Sequence, residues 1–420
     1  MLDIKFIREN SDLIKEAARK KHLDFKIVDL LELDQKRLKL LSEVEKMRAE
    51  QNRVSEELPG ADTKRRTTLI ESMRTLKGAM QEDETKLAGV TKDWQKLMLS
   101  VPNVPDVSVP EGASDADNQE VRKWGEPTEF DFQPKSHIEL MQDLDLADFE
   151  RGTKIAGFRG YILKKDAVLL NFALWQLVAS YFIKNGYELL SVPSLVKREA
   201  FLGTGYLPQG EEDLYRTQDG DYLAGTAEVA TMAYFMDEVL PLENLPKKFL
   251  AFSPCFRREA GSHGKDTKGL VRVHEFYKWE QVILCEADHA TSVKYHEEIT
   301  RLSGEIWQML KIPYHVVANC GGDLGLGQVK KYDIEAWIPS ENTYRETHSA
   351  SYFHDFQTRR LNIRYKDSEG KMRFAHSLNN TALATPRALV AILENYQQAD
   401  GSIKVPEVLQ SYLGKKLITK

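Results

Sequence analysis

From residue 33 to residue 58, apolar side chains recur on a strict four-three spacing: Leu33, Leu40, Val44, Met47, Val54 and Leu58, with Arg37 and Gln51 as the polar exceptions. The spacing resumes at Leu69, Met73, Leu76, Met80, Leu87, Val90, Trp94 and Leu97, with Asp83 as its exception. Each run is the heptad seam of one helix. Pro59-Gly60 lies between them and breaks the first helix. The pattern predicts an antiparallel helical hairpin over about 28–98, roughly 45 to 55 Å long at the rise of an α-helix. Residues 1 to about 27 read as a short amphipathic helix and a connector. Such an arm has little to bury except its own seam, so dimerisation and recognition of a partner fit it equally.

Past residue 100 the period is lost. Residues 101–127 carry Pro102, Pro105, Pro110 and Pro127 with scattered acids, and read as an extended linker. From about 128 onward, short strands and helices mix without βαβ alternation. Strands are read at 158–163, 187–195, 222–224, 314–317, 333–338, 352–361 and 373–379, and helices at 167–184 and 386–397. Hairpin-linked strands with helices to one side give an α+β fold on an antiparallel sheet. The glycine-rich run 321–327 lacks a strand-turn-helix frame and reads as a turn where backbone packs closely.

One hairpin, 249–284, concentrates chemistry. Two strands flank a polar loop at 260–269, the second strand being read as 270–284. Alternation puts Arg272, His274, Phe276, Lys278 and Glu280 on one face, and Arg257 and Glu259 on one face of the first strand. Arginines suit phosphate, a ring suits a base, and carboxylates suit an amine or hydroxyl. A solvated hairpin with its charges outward satisfies the same pattern.

Composition narrows the class. The 420 residues are 42% hydrophobic and 29% charged, with a net charge of -6. That balance excludes a protein that coats nucleic acid non-specifically and leaves local basic patches for any such contact. Three cysteines without a CxxC pair argue against a disulfide framework and a structural zinc site. The N-terminus shows no apolar signal segment, and the apolar run 167–183 is short for a membrane span. The expectation is a cytoplasmic protein with no membrane partner.

Three separated segments then agree. Gly186-Tyr187-Glu188 through Val192-Pro193 resembles motif 1 of the class II aminoacyl-tRNA synthetases (about 186–195). Phe256-Arg257-Arg258-Glu259 with 271–281 resembles motif 2 (about 249–284), and Thr385-Pro386-Arg387-Ala388-Leu389 resembles motif 3 (about 373–398). The arm, the linker, the Thr226-Ala227-Glu228 triplet, YDIEAW and DFQTRR are similar to the bacterial-type seryl-tRNA synthetase family within that class. The resemblance covers essentially the whole chain. It implies a tRNA-binding domain at 1–100, the linker at 101–127 and a class II catalytic domain at 128–420. It also implies a catalytic sheet of six to seven antiparallel strands and a homodimer made through motif 1. The implied reaction is serine activation by ATP followed by transfer to the 3′-terminal adenosine of tRNA(Ser), with tRNA(Sec) as a second acceptor.

The same resemblance distributes roles. Arg257, Glu259 and Arg387 take the catalytic positions. Arg257 bridges the amino-acid carboxylate and the α-phosphate, Glu259 faces the adenine amino group, and Arg387 holds the γ-phosphate. Serine is held by Thr226, Ala227, Glu228, Arg257, Glu280, Asn379 and Thr381. ATP also meets Arg258, Arg272, Val273, Phe276, Glu346, Thr347, His348 and Ser349, and Phe276 stacks the adenine. Glu346 and Ser349 match the family's Mg²⁺ pair. His348 and Ala350 depart from the serine-rich run of many relatives. His263, Lys265 and Lys268 of the motif 2 loop, with Lys64, Arg65 and Arg66 near the arm tip, are the tRNA contacts. An RNA-binding paralogue that has lost catalysis is the alternative; the competent residues at the mapped catalytic positions disfavour it.

Overall fold

The computed structural model describes residues 1–261, 264 and 266–420. The chain divides into two compact units, residues 1–19 with 23–102, and residues 20–22 with 103–420.

In the first unit, α1 (Ile4–Glu9) and α2 (Ser11–Lys20) precede two long helices, α3 (Ile27–Glu57) and α4 (Thr63–Ser100). Val44 and Val54 on α3 and Leu69 and Val90 on α4 are buried, and the other seam positions are half-covered. The polar exception Arg37 is accommodated by two neighbours. The Arg37 guanidinium lies 4.5 Å from the Trp94 ring centroid, where its charge faces the ring's negative face. Asp34 is buried between Arg8 and Arg37. Leu58–Gly60 forms a single 3₁₀ turn, and Asp62 caps α4 by accepting from the Arg65 N–H at 2.8 Å.

The second unit is built on an eight-stranded sheet. Its strands are β1 (Gln119–Trp124), β2 (Glu188–Ser191), β3 (Lys247–Phe256), β4 (Glu275–Cys285), β5 (Tyr314–Ala318), β6 (Lys330–Ile338), β7 (Thr343–His354) and β8 (His376–Ala384). The spatial order is β1-β5-β6-β7-β8-β4-β3-β2. Every neighbouring pair is antiparallel except β2 with β3. Helices α5 (Asp166–Lys184), α6 (His289–Met309) and α7 (Thr385–Asn395) contribute Leu174, Trp307 and Ile392 to the core against Ile334, Tyr352 and Ala382 of the sheet. Period-two alternation gives this sheet two faces. Gln281, Asn380 and His348 turn toward α6, where Gln281 and Asn380 both donate to the Ser303 hydroxyl at 2.9 Å. Their neighbours Glu280, Thr381 and Ser349 turn to the opposite face, which carries a cavity.

Several expectations are corrected. Among the described residues the sheet has eight strands rather than six or seven. Residues 119–124, read as linker, are its edge strand, because they find an open backbone edge on β5 that composition does not reveal. The second motif 2 strand begins at Glu275, not at residue 270. Glu275 pairs with Phe256, the last residue of β3, and among the described residues 270–274 have no ladder partner beyond one bond from the Arg257 N–H to the His274 carbonyl. Residues 352–361 are the end of β7 followed by a short helix at Phe356–Arg360, and 158–163 hold a strand only at Ile162–Leu163. The helix α5 is long and apolar enough to cross a membrane by length and composition, but only one face is buried; Leu169, Phe172 and Ile183 are exposed. The 321–327 run is a close-packed turn as read: a Cβ on Gly322 would lie 2.4 Å from the Ala113 carbonyl oxygen.

Candidate active site

The cavity encloses about 480 Å³ and draws on separate segments of the second unit. Two β-bulges set its walls. Between Ile334 and Glu335 the register of β6 against β7 slips, leaving Thr347 as the extra residue, so Glu346 and Ser349 reach the same face. On β8 the extra residue is Ala382, which lets Thr381 and Ala384 both line the cavity. The chain then enters α7, where Pro386 sits in the first turn and Arg387 follows it.

At one end, buried carboxylates crowd together. The Lys278 ammonium lies 2.5 Å from the Glu280 carboxylate and donates to the Thr226 hydroxyl at 3.0 Å. Glu228 accepts from Gln357 at 2.7 Å and from the Tyr206 hydroxyl at 2.9 Å. Burial, with Glu280 nearby, pushes the Glu228 carboxyl up to about 7. Thr381 stands opposite Glu280 in the β4–β8 ladder, and Asn379 stands opposite Ser351 in the β7–β8 ladder. A small ligand bringing a cation and a hydroxyl here meets carboxylates and hydroxyls already desolvated.

The other end is cationic. Arg257 donates to the Gly225 carbonyl at 3.3 Å, and its guanidinium lies 5.4 Å from the Phe276 ring. That ring packs on Cys255 and Val273, with Val273 also on the cavity wall. Arg272 pairs with Glu259 at 2.6 Å; Glu259 has φ +55°, which turns its side chain back toward the site. Arg387 donates to the Glu346 carbonyl at 2.7 Å and lies 3.5 Å from its carboxylate. Burial would raise the Glu346 carboxyl, but Arg387, Lys331 and Arg257 outweigh it and hold the group below the usual carboxylate range.

Other expected residues lie elsewhere. Arg258 is exposed and donates to the Glu212 carbonyl at 3.0 Å, outside the cavity lining. Ala227 is buried at the start of the short helix Glu228–Ala233 and does not line the cavity. His348 turns away, because alternation past the bulge points it into the core against Trp307; its Nε2 meets the Ala382 carbonyl at 3.1 Å. Thr347 touches the cavity while its hydroxyl donates to the Ile334 carbonyl at 3.0 Å. Lys64, Arg65 and Arg66 are exposed on the first turn of α4, and Arg65 pairs with Glu57 at 2.6 Å. Lys268 is exposed, and His263 and Lys265 lie outside the described residues. Sequence reasoning gave no role to Tyr206, Lys278, Gln357 or Asp333. Lys278 was visible on the right face of its strand. Asp333 stands opposite Ser349 and accepts from Asn319 at 2.6 Å, a pairing no local pattern encodes.

A largely antiparallel sheet carrying an arginine from a hairpin and another from the helix after its central strand defines a class II aminoacyl-tRNA synthetase core. Residues 214–396 match the family described as tRNA synthetase class II core domain (G, H, P, S and T). Residues 1–105 match the seryl-tRNA synthetase N-terminal domain. The serine–tRNA ligase of Deinococcus radiodurans is 43% identical over 99% of this chain and 98% of its own. That of Caldicellulosiruptor saccharolyticus is 43% identical over the full length of both. The chain belongs to the seryl-tRNA synthetase family, and at that level its activity is that of a serine–tRNA ligase. Among solved structures, a seryl-tRNA synthetase from Pyrococcus horikoshii complexed with ATP superposes with a TM-score of 0.91 at 37% identity, covering 100% of this chain and 99% of that one. The cytoplasmic serine–tRNA ligase of Naegleria fowleri in complex with AMP gives 0.88 at 32% identity, with the same coverage.

Proposed function

We propose that the cavity activates serine with ATP and that the same site then charges tRNA(Ser). The observation that carries this is the polarity of the cavity, with Glu228 and Glu280 at one end and Arg257, Arg272 and Arg387 at the other. In the first step the serine carboxylate attacks the α-phosphorus in line and pyrophosphate leaves. In the second the 3′-hydroxyl of the terminal adenosine attacks the seryl carbonyl and AMP leaves. Phosphoryl transfer needs positioning and charge neutralisation more than proton transfer.

Glu228 and Thr226 take the α-amine, with Ala227 setting the backbone between them. Glu280 and Thr381 take the hydroxyl beside Asn379. Arg257 bridges carboxylate and α-phosphate. Phe276 stacks the adenine with Val273 behind it, and Glu259 takes the amino group once Arg272 turns to the phosphates. Arg387 holds the γ-phosphate at the start of α7, where helix N–H groups already favour an anion.

Mg²⁺ fits this donor set. Glu346 offers a carboxylate half-open to the cavity and Ser349 a hydroxyl on the same wall, both hard oxygens. Among the described residues no group of three or more His, Cys, Asp or Glu could hold an ion alone. Glu346 and Ser349 would therefore hold it together with phosphate oxygens and water, and it would supply charge neutralisation on the leaving pyrophosphate.

The arm, with Lys64, Arg65 and Arg66, and the motif 2 loop around Lys268 are the tRNA-binding parts in this reading, and tRNA(Sec) is a further substrate. A homodimer through 186–195 is supported by the exposed Leu189 and Leu195 beside the exposed face of α5. The reading places the protein in the cytoplasm. Serine-dependent ATP–pyrophosphate exchange with purified protein and Mg²⁺ tests it. Exchange confined to serine is expected; no exchange, with tRNA still bound, returns the inactive paralogue.

A further inference from the structure

The wall segment Gly325–Gln328 lines the cavity but belongs to no helix or strand. Its four consecutive carbonyls have no ladder partners, and a buried carbonyl left unpaired is costly. Within the segment only the Gly325 carbonyl is met, by the Gln328 N–H at 3.2 Å, and two residues far away in the chain donate to all four. Lys21, 3% exposed, donates to the carbonyls of Gly325 at 3.0 Å, Leu326 at 2.8 Å and Gln328 at 2.7 Å. Asn103, also 3% exposed, donates its backbone N–H to Leu326 at 2.9 Å and its amide to Gly327 at 2.9 Å and Phe353 at 2.8 Å. Three acceptors match the three N–H donors of an ammonium, whereas a neutral amine would turn a lone pair on one carbonyl. Lys21 and Asn103 sit where the chain passes between its two units, at residues 20–22 and at 102–103.

The held segment reaches the amino-acid end of the site. Gln328 donates to the Ser351 hydroxyl at 2.7 Å and accepts from the Gly325 N–H at 2.6 Å. Ser351 stands opposite Asn379 in the β7–β8 ladder. A chain of contacts thus runs from Lys21 and Asn103 through the carbonyls to Gln328, Ser351 and Asn379.

We propose that Lys21, with Asn103, is a positioning residue for serine recognition: it fixes the wall segment whose Gln328 orients the Ser351–Asn379 edge of the amino-acid subsite. Neither residue touches substrate. The inference rests on the assignment of the Thr226–Glu228–Thr381 end of the cavity to serine.

The test is steady-state pyrophosphate exchange on Lys21→Met, Lys21→Arg and Asn103→Ser in the full chain. Rates are normalised to competent sites by burst formation of the adenylate, so that unfolded protein does not count. Lys21→Met, which keeps length and loses the donors, is expected to raise the KM for serine about tenfold with the KM for ATP unchanged. Asn103→Ser should move the same constant in the same direction, and Lys21→Arg should restore most of it. An unchanged KM for serine, equal changes for serine and ATP, or a fall only in the number of competent sites overturns the proposal. So does loss of folded protein in both Lys21→Met and Asn103→Ser by circular dichroism, which makes the contacts a purely structural anchor. Glu228→Gln is the control for the underlying assignment. If it leaves the KM for serine unmoved, the subsite is wrong; if it raises that KM and Lys21→Met does not, only the present inference fails.

Discussion

At the scale of single residues, Glu228 makes the sharpest statement about chemistry. Its carboxyl is raised to about 7 by burial and by Glu280, so with no ligand cation beside it the group is partly protonated near neutrality. Binding an ammonium requires the charged form. The KM for serine should therefore rise as pH falls, by about tenfold from pH 8 to pH 6, as the ionised fraction shrinks. The sign is opposite for stability. A carboxyl raised on folding contributes stability that is complete below its unfolded value and lost as pH rises through about 7. Glu228→Gln should flatten that part of the melting-temperature profile while weakening serine binding. Arg257→Ala and Arg387→Ala should each lower exchange kcat by about 10² to 10³, the usual cost of losing a fixed charge on a transition state; rates within a few-fold of wild type would remove them from the roles proposed. The types at these positions were legible, because arginine, carboxylate and ring on one strand face imply a polar ligand. His348 and Arg258 were not, since their directions depend on a bulge and on the Glu212 carbonyl rather than on spacing.

Among the elements, the arm followed from sequence almost position by position. Val44 and Val54 are buried and Leu33 and Leu40 half-covered on the face the spacing requires, because a coiled-coil seam is set by local periodicity. The proposed role of the arm has its own test. Replacing residues 30–98 by a short linker should leave serine-dependent exchange in place and abolish charging of tRNA(Ser); persistent charging would remove the arm from recognition. The hairpin of β3 and β4 was legible up to the point where it stops pairing. Residues 270–274 carry strand-like alternation, yet β3 ends at Phe256 and no described residue completes their ladder. The reverse error befell 119–124, a short charged stretch inside a proline-rich segment, whose composition conceals a strand that pairs with the β5 edge.

For the molecule as a whole, the exposed apolar face of α5 and the edge strand β2 form the surface that the proposed homodimer buries. Phe172 and Ile183 are each 55% exposed, and Leu189 38%. A second copy of the chain covers this surface in the proposed assembly. Phe172→Glu combined with Leu189→Glu should halve the mass seen by sedimentation equilibrium; an unchanged dimer would move the interface elsewhere.

The sequence alone determined what short-range periodicity encodes: the two arm helices, the alternating faces of β4, the helix α7 with proline in its first turn, and the types of residue a site of this class employs. Tertiary structure alone decided which of those residues meet. The bulges at Thr347 and Ala382 shift the phase of β7 and β8 and so select Glu346, Ser349 and Thr381 for the cavity. The carbonyls of Gly325–Gln328 find their donors in Lys21 and Asn103, with 304 positions separating Lys21 from Gly325. A buried carbonyl accepts whichever donor the fold delivers, so such a partnership leaves no mark in the spacing of residues along the chain.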